Sequence, residues 1–320
     1  MKKLGFLAAF LLIGGIAHAE QPISAGPSNY RLYKSSNIAT GSNRITGSAY
    51  LHKVIISSPS SSTLDIYNAQ GSNENKVATI QISTTNYGSG VTSLDFGIYL
   101  SSGIRTVHTA ATTLGSAQLV FAPAPQQDYR IYNSSFIVSD TSTHTIQKGP
   151  VLLKRVLVLK PATSASSLRI WNQHSATVDT INQVADIDIT TCTQIDFDVM
   201  LSSGLTVSFN PNASGEVMLI YKGNPSRDYD YWSSTYTTGS VTNRQVIAGR
   251  AVFGGVINGK GSSASHLKVY DASGSATKQI AELRGTQPFN RQMYDAHVSS
   301  GITVTSSGSG TYTILYRRVR

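Results

Sequence analysis

The chain has 320 residues, of which 13% are charged, and a formal net charge of +9. About 25% charged residues is typical of soluble proteins, so the surface must be rich in neutral Ser, Thr, Asn, Gln and Gly. A single cysteine, Cys192, excludes an intramolecular disulfide. The basic residues are scattered and no nucleic-acid-binding motif accompanies them, so we expect no nucleic-acid partner.

A secretory signal peptide is predicted at residues 1–19. Lys2 and Lys3 precede an apolar run at 4–16, and an A-x-A site follows at 17–19. The run is shorter than the roughly 20 residues that span a bilayer, although an uncleaved anchor is the alternative. We expect export to the periplasm, the cell exterior or the cell surface, with no transmembrane segment in the mature chain. Residues 20–28 are predicted to be an irregular leader, either a disordered tail or a strand lent to another subunit.

Three copies of one unit follow the leader, with predicted boundaries at 29–125, 126–225 and 226–320. Each copy has, in the same order, an aromatic cluster with paired serines, an apolar strand, an L-x-[IV]-[YW]-[ND] segment and Ser-Ser-Gly before an aliphatic residue. Four motifs that recur in order indicate tandem repetition. The period of about 100 residues is that of a small autonomous domain.

Each repeat is predicted to be an antiparallel β-sandwich, so the fold class is all-β. Short segments rich in Val, Ile, Thr and Tyr are separated by Gly, Ser, Asn and Pro clusters, with about seven or eight strands per unit. In one of them Leu64 and Ile66 face one side while Asp65 and Tyr67 face the other. Jelly-roll and other Greek-key strand orders both remain open.

The Ser-Ser-Gly segments are interpreted as turns rather than as serine nucleophiles. The chain has no G-x-S-x-G elbow, and its histidines fall at different places in the three repeats, so we expect no catalytic residue and no enzyme activity. Glycine permits a positive φ and serines can bond the nearby backbone. A turn or bulge between two late strands of each repeat is predicted at Gly103, Gly204 and Gly301.

Aromatic side chains recur at the start of each repeat. Exposed Tyr and Trp rings can stack on sugars or anchor a partner. The alternative is that they pack the first strand onto the sheet and the preceding linker. The candidate binding residues are Tyr30, Tyr33, Tyr129, Tyr132, Tyr229, Tyr231 and Trp232.

Paired aspartates form a second set of candidates. Carboxylates that alternate along a strand share a face, where they could bind calcium or act as a glycosidase acid and base. The alternative is that they are the solvent-facing positions of half-buried strands. No calcium-loop motif is present, so we expect no metal and no cofactor. The pairs are Asp186 with Asp188, Asp196 with Asp198, and Asp228 with Asp230.

The order of the motifs resembles that of small β-sandwich units in bacteriophage virion and tail-associated proteins. In the third repeat the resemblance lies in Tyr270-Asp271, in the Gly301-Ile302-Thr303-Val304 turn and in Leu315-Tyr316, whereas the first repeat ends in Phe121 without the tyrosine. The resemblance implies a β-sandwich fold.

An exported, non-enzymatic structural or assembly protein is the function that these features favour. Such a protein would self-associate, for example as a subunit of an extracellular fibre or shell. One alternative is an adhesin that binds carbohydrate or a cell surface. A third is a glycan hydrolase that uses Asp186 and Asp188.

Overall fold

The computed structural model is almost entirely β-strand, which confirms the predicted all-β fold. It describes residues 34–38, 41–58, 60–71, 73–87, 92–110, 116–123, 132–175, 177–210, 215–225, 231–261, 264–284 and 291–319. The predicted signal peptide and leader lie outside these residues. The helical segments within them are one turn, α1 (Thr84–Tyr87), and one 3-10 turn (Thr180–Asn182). No helix in these ranges is long and apolar enough to cross a membrane.

The strands divide equally among the three repeats. Repeat 1 contains β1 (Lys34–Ile38), β2 (Gly41–Thr46), β3 (Ala49–Ser58), β4 (Ser62–Tyr67), β5 (Lys76–Ile82), β6 (Thr92–Leu100), β7 (Gly103–Ala110) and β8 (Ser116–Pro123). Repeat 2 contains β9 (Asn133–Val138), β10 (Thr143–Lys148), β11 (Val151–Lys160), β12 (Ser167–Trp171), β13 (Gln183–Asp188), β14 (Thr193–Leu201), β15 (Gly204–Asn210) and β16 (Glu216–Gly223). Repeat 3 contains β17 (Ser233–Thr238), β18 (Val241–Ala248), β19 (Ala251–Lys260), β20 (His266–Asp271), β21 (Gln279–Arg284), β22 (Arg291–Val298), β23 (Gly301–Ser307) and β24 (Thr311–Arg318).

Each repeat is a jelly roll made of two four-stranded antiparallel sheets. In repeat 1 the first sheet has the order β1-β8-β3-β6 and the second sheet has the order β2-β7-β4-β5. The same two orders recur as β9-β16-β11-β14 with β10-β15-β12-β13, and as β17-β24-β19-β22 with β18-β23-β20-β21. The chain thus alternates between two facing sheets, which is the jelly-roll arrangement. The sequence left jelly-roll and other Greek-key strand orders open, and the structure shows the jelly roll in all three repeats.

Alternation with period two builds the core of each sandwich. Along β6 the buried side chains are Leu94, Phe96, Ile98 and Leu100, and the residues between them are more exposed. The equivalent strand of repeat 2, β14, shows the same alternation. Since successive side chains of a strand point to opposite faces, the sequence pattern alone assigns these residues to the interior.

The glycine of each Ser-Ser-Gly segment begins the seventh strand of its repeat. Gly103, Gly204 and Gly301 have φ angles of 111°, 145° and 133°, a region that disfavours side chains. A Cβ on Gly103 would lie 2.5 Å from the carbonyl oxygen of Ile45, and one on Gly204 would lie 2.8 Å from that of Gln147. Both the backbone conformation and the close approach of the second strand therefore require glycine.

The serine pairs are held by the last residue of the L-x-[IV]-[YW]-[ND] segment. The side-chain Oδ1 atoms of Asn68, Asn172 and Asp271 each accept a hydrogen bond at 2.8 Å, from the backbone N–H groups of Ser102, Ser203 and Ser300. At Asp271 slight burial alone would raise the pKa, but the N–H groups of Ser300 and Ser299 lower it. Two motifs that recur separately in the sequence thus form one structural unit.

We expect Gly301→Ala to destabilise the protein more than Gly239→Ala. Both glycines have positive φ, but the Cβ at Gly301 would collide with the backbone of β18, whereas nothing lies within 4 Å of a Cβ at Gly239. The strained backbone costs about 1–3 kcal/mol at either site, and the collision adds to it only at Gly301. Chemical denaturation of the two variants measures the difference. An equal loss of unfolding free energy would show that the close approach is unimportant.

Candidate functional site: the joins between repeats

Two joins connect the three repeats, and both use the same elements. The fifth and sixth strands of one repeat, which we call its docking edge, pack against the outer face of the first sheet of the next repeat, which we call its receiving face. In the first join β5 and β6 contact β9, β11 and β16, and in the second join β13 and β14 contact β17, β19 and β24. A repeat therefore presents different surfaces to its two neighbours.

The receiving face of repeat 2 is as apolar as a protein core. Leu157, Leu159, Met218 and Ile220 point away from their own sandwich, yet they are fully buried and belong to the hydrophobic cluster of repeat 1. Val77 on the docking edge of repeat 1 is buried in the same cluster. Burial of a Leu, Ile or Met side chain stabilises a structure by about 1.5–3 kcal/mol, so apolar burial is the main attraction in this join.

The second join combines apolar contacts with hydroxyl groups. Ile257 and Leu315 of repeat 3 belong to the hydrophobic cluster of repeat 2. Thr311 Oγ1 donates to the carbonyl oxygen of Asp186 at 2.8 Å, and Thr313 Oγ1 donates to that of Val184 at 2.7 Å. Both acceptors lie on the edge strand β13, and edge strands carry carbonyl groups without a ladder partner. The threonines thus satisfy groups that burial would otherwise leave unpaired.

An arginine of the following repeat lies in each join. Arg155 on β11, only 7% exposed, donates from Nη1 to the carbonyl oxygen of Asp95 at 2.6 Å and also pairs with the Asp196 carboxylate. Arg291 on β22 donates from Nη1 to the carbonyl oxygen of Asp196 at 3.0 Å and to Asp198 Oδ2 at 2.9 Å. Asp95 and Asp196 occupy equivalent positions, opposite the residue that follows the bulge in the third strand. Two arginines on different strands thus bind carbonyl groups at equivalent positions of successive repeats.

The charge of Asp95 is maintained by the join. Burial alone would raise its pKa, but Arg155, Lys53 and a hydrogen bond from Gln194 lower it below the ordinary value. Gln194 of repeat 2 also accepts from the backbone N–H of Asp95 at 2.9 Å. Burial opposes the charge of Arg155, yet Asp196 and Asp95 raise its pKa.

Two of the predicted aromatic binding residues lie where the linkers enter the joins. Tyr132 forms a parallel bridge with Ile98 of repeat 1, and Trp232 forms the equivalent bridge with Val199 of repeat 2. Trp232 is 7% exposed and packs in the hydrophobic cluster of repeat 2, with the Arg317 guanidinium 4.0 Å from its ring centroid. It is thus buried rather than on the surface, whereas Tyr231 is exposed. The other four candidates lie outside the described residues: Tyr30, Tyr33, Tyr129 and Tyr229.

The first aspartate pair does not converge on an open site. Asp186 is 7% exposed and accepts from Lys260 of repeat 3 at 2.8 Å, so its interpretation as a solvent-facing position is wrong. Asp188 accepts from the N–H and hydroxyl groups of Thr190 in a local turn. Burial in a join leaves Asp186 no space for a sugar ring.

The second aspartate pair belongs to the arginine contacts of the joins. Asp198 also binds Lys154 at 2.6 Å. Asp228 and Asp230 lie outside the described residues. In the part of the chain that the structure describes, no group of three or more His, Cys, Asp or Glu side chains could hold a metal ion.

Sequence reasoning missed the residues of the receiving faces, which carry most of the joins. The signal was present in β11, whose sequence VLLKRVLVLK is apolar at consecutive positions. Continuous apolar runs are typical of strands that are buried on both faces. No protein-family model matches the chain, and a search of curated proteins finds no match.

We expect Asp95→Asn to weaken the first join at neutral pH by about 1–3 kcal/mol, because Arg155 loses a charged acceptor. The pKa of Asp95 is lowered in the folded state. Its stabilising effect is therefore complete above the unfolded pKa of about 3.9 and is lost as the pH falls through the folded value. Below about pH 4 the stability of the variant should thus fall less steeply than that of the wild type. Urea denaturation across this pH range measures the difference, with Glu74→Gln, an exposed carboxylate, as control. Parallel curves for Asp95→Asn and the wild type would contradict the role given to Asp95.

We expect Trp232→Ala to cost about 3–5 kcal/mol, since it removes a large buried side chain. Gly254→Ala should also destabilise the protein, because its Cβ would lie 2.5 Å from the indole ring. The second substitution should be better tolerated once the indole is absent. A double-mutant cycle measured by denaturation tests this coupling. Strictly additive losses would mean that Gly254 and Trp232 do not contact each other.

Proposed function

We propose that the protein is an exported structural subunit that assembles with further copies of itself, as part of an extracellular fibre or shell. The observation that carries this proposal is the recurrent join. The chain connects its jelly rolls through one pair of unlike surfaces, used twice. Unlike surfaces that bind each other generate rings or open filaments rather than closed pairs.

The contacts that three of the polar and aromatic candidates make in the joins support assembly over the alternatives. Asp186, Asp198 and Trp232 are all engaged in the joins, where they have a structural role. The jelly roll occurs in capsid proteins and in lectins, so the fold alone does not choose between assembly and glycan binding. The resemblance of the repeats to phage virion units agrees with assembly, and export is inferred from residues 1–19.

Analytical ultracentrifugation and electron microscopy of the purified protein test the proposal. We expect species larger than the monomer, and their fraction should rise with protein concentration, because association follows mass action. Binding to a glycan panel serves as the comparison. Monomers at every concentration together with specific glycan binding would contradict the proposal and favour an adhesin.

A further inference from the structure

The receiving face of repeat 1 is only partly covered. At the four positions that repeat 2 fills with fully buried apolar side chains, repeat 1 has two aliphatic and two polar residues, none of which is fully buried. The strand registers place these residues in the same positions relative to Val54 and Val156. They are Ile55, Ser57, Gln118 and Val120.

This partly covered face resembles the receiving face of repeat 3. Ile55 corresponds to Ile257 and Val120 corresponds to Leu315, the two residues that pack on repeat 2. Gln118 corresponds to Thr313, which donates to the free carbonyl of the docking edge. Ser116 corresponds in the same way to Thr311. Repeat 2 has Met218 and Glu216 there, and neither side chain can donate a hydrogen bond when Glu216 is ionised.

The docking edge of repeat 3 resembles the docking edge of repeat 2. Strand β21 begins with the sequence Q-I-A-E at residues 279–282, and β13 begins with Q-V-A-D at residues 183–186. Val184 is buried by repeat 3, whereas its counterpart Ile280 remains partly exposed. Met293 on the neighbouring strand β22 is 44% exposed. Its counterpart in repeat 2, Asp196, lies in the second join.

The segment that leads into a join is also present at the start of repeat 1. The sequence Y-R-[LI]-Y-x-S-S occurs at residues 30–36 and again at 129–135. In the second occurrence Tyr132 bridges to Ile98 of the preceding repeat. The matching sequence at the start of repeat 1 is what a third join of the same kind would require.

We propose that the docking edge of repeat 3 binds the receiving face of repeat 1 in a second copy of the chain, so that copies associate head to tail through a join like that between repeats 2 and 3. This inference rests on the proposed assembly function and names its two surfaces. Gln118 of one copy would donate to the carbonyl oxygen of Ile280 in the other. Lys53, at the position of Arg155, would approach Met293 and the exposed Asp295.

One difference from the second join affects how closely the copies approach. Gly259 lies against the carbonyl group of Asp186, with no space for a Cβ, and Ser57 takes its place in repeat 1. Leu159 occupies the same position in the first join, so a join of this kind can accommodate a side chain there. Because both free surfaces contain more polar residues than the internal ones, we expect association to be reversible and concentration-dependent.

A pair of charge substitutions tests the two surfaces separately. Gln118→Glu replaces a donor on the receiving face by an acceptor, which would face the carbonyl of Ile280. Met293→Lys places a second cation near Lys53 at the docking edge. Each variant retains one intact end, and each altered residue is at least partly exposed, so folding should persist and is checked by thermal melting. The matched control is Ile181→Lys, an 82% exposed residue of repeat 2 away from both surfaces.

Sedimentation velocity is measured for each variant alone and for their equimolar mixture. We expect at least a tenfold weaker association for each variant alone, wild-type association for Ile181→Lys, and dimers that grow no further in the mixture, because only one productive pair of ends remains. If the wild type assembles and the two variants alone assemble equally well, this inference is wrong while the assembly function stands. If both variants fail alone and their mixture forms no dimer, the head-to-tail pairing is likewise wrong. A wild type that remains monomeric would overturn both proposals.

Discussion

Burial of both faces of the sheet β9-β16-β11-β14 is the constraint on which the joining of the repeats depends. Eight of the ten residues of β11 are buried. Val156 and Val158 fill the sandwich of repeat 2, while Leu157 and Leu159 fill the hydrophobic cluster of repeat 1. Separating the two repeats would expose the second set to water, at a cost proportional to the apolar area. The cores therefore continue across the joins, although the sequence period is that of an independent domain.

The repeat, the strands and the turns could be predicted because each depends on residues close together in the sequence. The strand order could not, because it depends on pairing between distant segments. The positive φ of Gly301 follows from a recurrent glycine after two serines, because only that residue tolerates the conformation. The pairing of β3 with β8 joins residues far apart in the chain, such as Val54 and Leu119, which are 65 positions apart. Nothing in the alternation along either strand selects its partner, since many partners would match the same pattern.

The candidate site was less predictable, because the exposure and the partners of a polar residue depend on which other repeat packs over it. Asp186 alternates along its strand as a solvent-facing residue should, and it is buried only because repeat 3 packs over it. Arg155 and Arg291 lie on different strands of their repeats, yet both donate to an equivalent carbonyl. Aligning the repeats with one another pairs Arg155 with Lys53 and with Gly255, and so conceals this common role.

The unequal polarity of the internal and free surfaces has a physical reason. Within one chain, short linkers hold neighbouring repeats close together, so their effective concentration is high. Two separate chains must also lose translational and rotational freedom when they associate. Surfaces that were fully apolar would bind any exposed hydrophobic partner. The surfaces proposed for assembly also contain polar side chains, so a partner must offer matching hydrogen bonds. These residues are Gln118 and Glu282, which lie beside Ile55 and Ile280. In the proposed assembly, such surfaces would favour a specific partner and would keep separate copies dispersed until their concentration rises.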